Sequence, residues 1–233
     1  MSVRAVTVDD MDWIVAVLAE RRRPLASRAP VFWQPAGHAA RFHRAFLTRL
    51  LTEAGARGYR TDTAVLIAAP RGQSWIVDDA YVPHERWTTS HAAQALWQAF
   101  AADCGGDPVR FVCPRYEEER GAFARRVGLT VAESWWLREL PGSGGGPAGV
   151  TVDLPGASAA TTAAPPVYAP PGPMLFLPQV TDPPSAIPAA VPEALRRGCA
   201  GIVVSQRPDD SALAAVLDEG GFRPHCDYYS GVL

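Results

Sequence analysis

Asp78 and Asp79 stand side by side in residues 74–82, a run that reads as a β-strand. Side chains alternate along a strand, so the two carboxylates face opposite sides of the sheet. Either could take a proton in general acid–base chemistry; either could instead cap the strand end or hold arginines of the second helix. Glu85, His91, Cys113 and Tyr116 are the next groups able to carry chemistry. Each also has a plain structural role. Glu85 suits a solvated loop, His91 an exposed helix face, Cys113 a small place in the core and Tyr116 the surface at a helix start.

Other chemistries are excluded by residue type. All 22 basic residues are Arg, so Schiff-base chemistry, a lysine base and a lysine-dependent phosphate loop are absent from this chain. The five histidines (His38, His43, His84, His91, His225) place no ligand pair on one helix face, which argues against a metal. Cys104, Cys113, Cys199 and Cys226 form no C-x-x-C and suit free thiols in a reducing cytosol. Net charge is −2, with no interleaving of basic and aromatic residues, so neither nucleic acid nor an anionic membrane surface is expected as partner. No apolar run reaches membrane-spanning length. These features predict a soluble cytoplasmic protein.

The elements that must position these groups come in a readable order. Val3–Val8 alternates as a strand, and a helix follows to about Arg23, where Pro24 stops it. A loop holds Phe32 and Trp33, and a second helix spans about 38–54. Strands at 61–69 and 74–82 flank a Pro-Arg-Gly turn; then come a helix at about 88–102, strand 109–113, helix 116–127 and strand 129–140. The Gly/Pro/Ala-rich stretch 141–172 reads as a linker, flexible over 141–149, with residues 150–154 able to pair as an edge strand. From Met174 the pattern resumes as strand, helix, strand, helix, strand. It repeats what came before: Phe111, Gly128 and Trp135-Trp136 recur 93 residues later as Val204, Gly221 and Tyr228-Tyr229. A repeat at fixed spacing predicts a duplicated architecture, with residues 1–140 a full copy and 173–233 a truncated one.

This order resembles the GNAT superfamily of N-acetyltransferases, in the tandem arrangement where one copy has decayed. The resemblance is carried by Val3–Asp10, by Val77-Asp78-Asp79-Ala80-Tyr81-Val82-Pro83, and by the helix-to-strand corner Leu217–Arg223. It implies an α/β (α+β) fold, a mixed and mainly antiparallel sheet flanked by helices. It also implies transfer of an acetyl group from acetyl-CoA, or another acyl-CoA, to an amine of a small molecule or peptide. The family binds the cosubstrate's pyrophosphate at the start of the helix after the fourth strand. Here that region is Val82 and the segment Trp87-Thr88-Thr89-Ser90-His91-Ala92. Trp87 replaces the family's Gln/Arg and Ser90 its first Gly, and a Cβ at Ser90 restricts close approach. In the second copy, Pro183 and Pro184 remove N–H groups a pyrophosphate would need.

The resemblance makes Asp79 or Asp78 the base, with Tyr116 nearby as a further catalytic candidate. The family's usual acid, a Tyr four residues before the closing Gly, is Ala124 in one copy and Leu217 in the other. Glu20, Arg23 and Trp33 sit where relatives bind the acceptor, as do Phe32 and His43. The alternative is a catalytically silent GNAT-like scaffold that binds a small molecule or protein partner, as monomer or homodimer.

Overall fold

The structure, a computed structural model, describes residues 2–141 and 145–233; residues 142–144 of the expected linker lie outside the described residues. Two compact units divide the chain. Unit 1 takes the chain up to Arg23, Ala40–Ala132 and Asp227–Leu233; unit 2 takes Pro24–Ala39 and Glu133–Cys226.

The first strand is shorter than the alternation predicts: β1 is Arg4–Ala5. Asp10 ends it by folding the chain back, accepting from Arg4 at 2.6 and 2.8 Å, from Arg60 at 2.9 Å and from the Thr7 N–H at 3.0 Å. Helix α1 (Met11–Arg28) then continues through Pro24, which was expected to stop it. Proline removes one helical hydrogen bond, yet the extra turn buries Leu25, and Ala29 after it, almost completely. Helix α2 (Ala39–Thr52) buries His43 and Leu47.

Strands β2 (Arg57–Arg60), β3 (Val65–Arg71) and β4 (Ser74–Tyr81) form an antiparallel meander. After α3 (His91–Cys104), β5 (Pro108–Pro114) returns parallel to β4. Helix α4 (Glu118–Arg126) and β6 (Thr130–Glu139) follow. The unit 1 sheet has the order β1-β2-β3-β4-β5, with the last strand of the chain beside β5. Its core is aromatic: Trp87, Trp97, Phe100, Phe111 and Phe123 are buried together. Each such ring contributes about 1.5–3 kcal/mol by leaving water.

Unit 2 has its own meander. The stretch expected as linker forms two strands, β7 (Thr151–Leu154) and β8 (Ala157–Thr162), the first of them foreseen as an edge strand. Thr and Ala at alternating buried positions let β8 pair with β9 (Met174–Val180) despite the weak apolar signal. Helix α5 (Pro183–Arg196), β10 (Gly201–Gln206), α6 (Ser211–Glu219) and β11 (Arg223–Val232) complete the chain. The strand order is β6-β10-β9-β8-β7, antiparallel except for β9 with β10.

The sequence repeat is a repeat of geometry. Gly128 (φ 90°) and Gly221 (φ 73°) close α4 and α6 in the left-handed conformation. The next N–H, of Leu129 or Phe222, donates five residues back to Ala124 or Leu217 at 3.0 and 2.9 Å. This is the Schellman closure that favours Gly.

Candidate functional site

Strands β4 and β5 pair only from Trp75 with Val109 to Val77 with Phe111. Beyond that point β4 bulges. Val77 pairs with Ala68 and Ala80 with Leu66, so Asp78 and Asp79 together oppose the single residue Ile67. A bulge re-aims side chains, and here it sets two adjacent carboxylates in unlike surroundings. Asp79 lies 3.1 Å from His43 Nε2 and 4.0 Å from Arg22 Nη1, its side chain 19% exposed. Burial pushes its pKa up, but His43, Arg22 and Arg21 outweigh burial and hold the carboxyl below its ordinary range. Asp78 is raised instead, first by desolvation and then by the charge of Asp79. It nevertheless reaches solvent. Among the described residues no hydrogen bond or ion pair engages its carboxylate.

Three buried charges stand behind the parted strands. Arg21 grips Glu117 with two parallel bonds, Nε to Oε1 at 2.8 Å and Nη2 to Oε2 at 2.9 Å. Its Nη1 donates to the Asp78 carbonyl at 3.0 Å. Arg120 is wholly buried and donates from all three nitrogens. Nε reaches the Val112 carbonyl of β5 at 3.0 Å, while Nη1 and Nη2 reach Ala80 and Asp78 carbonyls of β4 at 3.1 and 2.8 Å. Phe111 and Trp87 present ring faces 4.6 and 5.1 Å from its guanidinium carbon. Burial lowers the pKa of Arg120 and Arg21 adds to this; Glu117, 3.6 Å away, opposes both. For Arg21 burial also acts downward, and Glu117 overcomes it.

The expected pyrophosphate segment is occupied by the protein's own groups. Glu119 accepts from the Thr88 N–H at 3.1 Å and from its hydroxyl at 2.8 Å. Those bonds hold the carboxyl below its ordinary range, and Arg86 and Arg126 add to the effect. Arg126 in turn donates to the Thr88 and Trp87 carbonyls. Ser90 caps α3, its hydroxyl accepting from the Ala92 and Ala93 N–H groups at 3.2 and 3.3 Å. Its φ of −81° carries no strain. Trp87 does not face the loop: it is 1% exposed, packed on Phe111 and Phe123, with its indole N–H on Glu85 at 2.9 Å. Val82 and Ala92 are buried, Thr89 and His91 exposed. Glu85 is raised by desolvation and by Glu117.

Of the acceptor candidates, Glu20 and Arg23 are exposed in unit 1, with Glu20 accepting from the Tyr81 hydroxyl at 3.3 Å. Trp33 belongs to unit 2, where it is 5% exposed and stacks 4.3 Å from His225. Phe32 packs on the same imidazole at 4.6 Å. An apolar ring of that size gains more from the core than from a wet cleft. Tyr116 is half-buried and its hydroxyl is out of solvent. Burial pushes the Cys113 thiol up to about 12, so it is no nucleophile. The residues missed were Arg21, Glu117 and Arg120. A Glu–Arg pair at i and i+3 in a charged helix reads as a solvated face, and only the buried strand carbonyls reveal otherwise.

Unit 2 repeats the bulge without the chemistry. Phe176 pairs with Ala160 and Gln179 with Ser158, so Leu177 and Pro178 oppose Ala159. An apolar pair stands where unit 1 has two carboxylates. Among the described residues no cluster of three ligating side chains could hold a metal, and no helix is long and apolar enough to cross a membrane.

No family model and no curated protein matches this chain in sequence. Solved structures do match in shape. A proposed acetyltransferase of Thermoplasma acidophilum is 13% identical over all of both chains, with a TM-score of 0.60. One of Pyrococcus horikoshii is 10% identical, covering 100% of this chain and 89% of its own, at 0.53. A tandem GNAT protein of the clavulanic acid biosynthesis pathway is 14% identical over 99% of this chain and 98% of its own, at 0.51. The parallel pair β4–β5 with its bulge, reached through a meander and left through α4, thus belongs to a known design: along its whole length the chain has the GNAT N-acetyltransferase fold.

Proposed function

We propose that unit 1 is a binding module of this fold, which takes the donor groups of an amine at Asp78 and passes no acyl group to it. The observation that carries this is Arg120. A cosubstrate held by its phosphates at the start of α3 and reacting beside Asp78 would run along the edge of β4 that β5 vacates. Arg120 fills that edge and uses its carbonyls. The pyrophosphate would meet the Glu119 carboxylate on the Thr88 N–H and Ser90 on those of Ala92 and Ala93. The residues present do not fit an acyl-CoA. Asp78 remains as an exposed carboxyl that no hydrogen bond or ion pair engages among the described residues. Unit 2, with Leu177-Pro178 in its bulge, serves as structure.

N-acetyl transfer from acetyl-CoA is the second reading, favoured by one observation. The raised proton affinity of Asp78 suits a general base for an ammonium group better than the lowered affinity of Asp79. Thermal-shift titrations with spermidine, benzylamine and a short peptide, each repeated on Asp78→Asn, test the first. An amine should stabilise the native chain and not the variant, and acetyl-CoA should stabilise neither. Release of free thiol from acetyl-CoA in the presence of an amine would put the transferase reading in its place.

A further inference from the structure

We infer that Arg120 takes over, inside unit 1, the bonding that a ligand lying between β4 and β5 would otherwise supply. Two parallel strands that part leave carbonyls facing the gap, and a buried carbonyl without a donor is costly. The carbonyls of Asp78, Ala80 and Val112 face this gap, and one guanidinium satisfies all three. Its fork fills the space between the strands, and the guanidinium lies against Phe111 and Trp87, whose rings touch each other edge to face at 5.9 Å. Glu117 supplies the countercharge, and is itself fixed by Arg21 from α1. The gap between the two strands is filled from within, while the Asp78 carboxyl stays exposed. This rests on the same reading of the cleft as the proposed function, but it concerns α4 and not Asp78.

The experiment compares the full-length chain with Arg120→Lys and Arg120→Ala by thermal unfolding and by calorimetric titration with acetyl-CoA. The Ala variant strands the Ala80 and Val112 carbonyls, while the Asp78 carbonyl and Glu117 keep Arg21, and it should melt on the order of 10 °C lower. Millimolar methylguanidinium, which restores the fork, should recover part of that loss. Lysine offers one point charge in place of a planar fork, so its variant should melt below the native chain too, and it serves if the Ala variant does not fold. The native chain should give no heat with acetyl-CoA. A native melting temperature in the Lys variant would overturn the inference. So would acetyl-CoA binding to the native chain that weakens on Arg120→Ala, because Arg120 would then be a ligand contact. Failure of amines to bind would sink the proposed function alone, leaving the Arg120 result standing.

Discussion

Replacing Asp78 by Asn removes a carboxyl whose ionisation costs the folded state, since desolvation raises its pKa above the unfolded value. Stability is lost there as pH rises past about 4, so at pH 7 the substitution should raise the melting temperature slightly, solvent screening keeping the gain small. Asp79→Asn should do the opposite. Its carboxyl is held low, contributes stability above about pH 4 and loses it as pH falls toward the folded value. Removing it breaks the pair with His43 and should cost about 1–3 kcal/mol at pH 7. Thermal melts of both variants at pH 7 and near pH 4 check the signs; equal shifts at pH 7 would mean the bulge does not separate the two. Adjacency made the pair legible in the sequence. Their difference was not, because the groups that create it, Arg22 on α1 and His43 on α2, are distant in the chain and are brought in by packing.

At the scale of elements, helix ends were read where local chemistry decides them and misread where burial does. Gly128 and Gly221 announced their helix ends because only a left-handed residue makes that closure without strain. Pro24 announced an end that tertiary burial of Leu25 cancels. Pro24→Ala should therefore stabilise the chain by about 2 kcal/mol, the restored hydrogen bond less the unfolded-state entropy it releases. A denaturant midpoint that does not rise would mean the helix bends there to suit the proline. Strand β7 was foreseen as an edge strand, but β8 was hidden because Ala and Thr carry little periodic apolar signal. The two bulges were hidden because a bulge is a property of pairing, invisible in either strand alone.

For the whole molecule, the order of residues and the membership of the compact units do not coincide. Unit 1 includes Asp227–Leu233, and Tyr229 of that segment sits in its core, accepting from Arg125 at 2.7 Å. Trp136, in the last strand of the first copy, sits in the core of unit 2 with its indole N–H on Gln206 at 3.2 Å. Residues 1–140 expressed alone should thus lack a core strand and fail to give a cooperative melt; adding a peptide of residues 222–233 should restore one. A cooperative melt of residues 1–140 alone would show that unit 1 closes without its last strand. A cut after residue 140 would take Asp227–Leu233 from unit 1 and residues 133–140 from unit 2, so neither unit can be encoded, expressed or engineered as one contiguous stretch of chain.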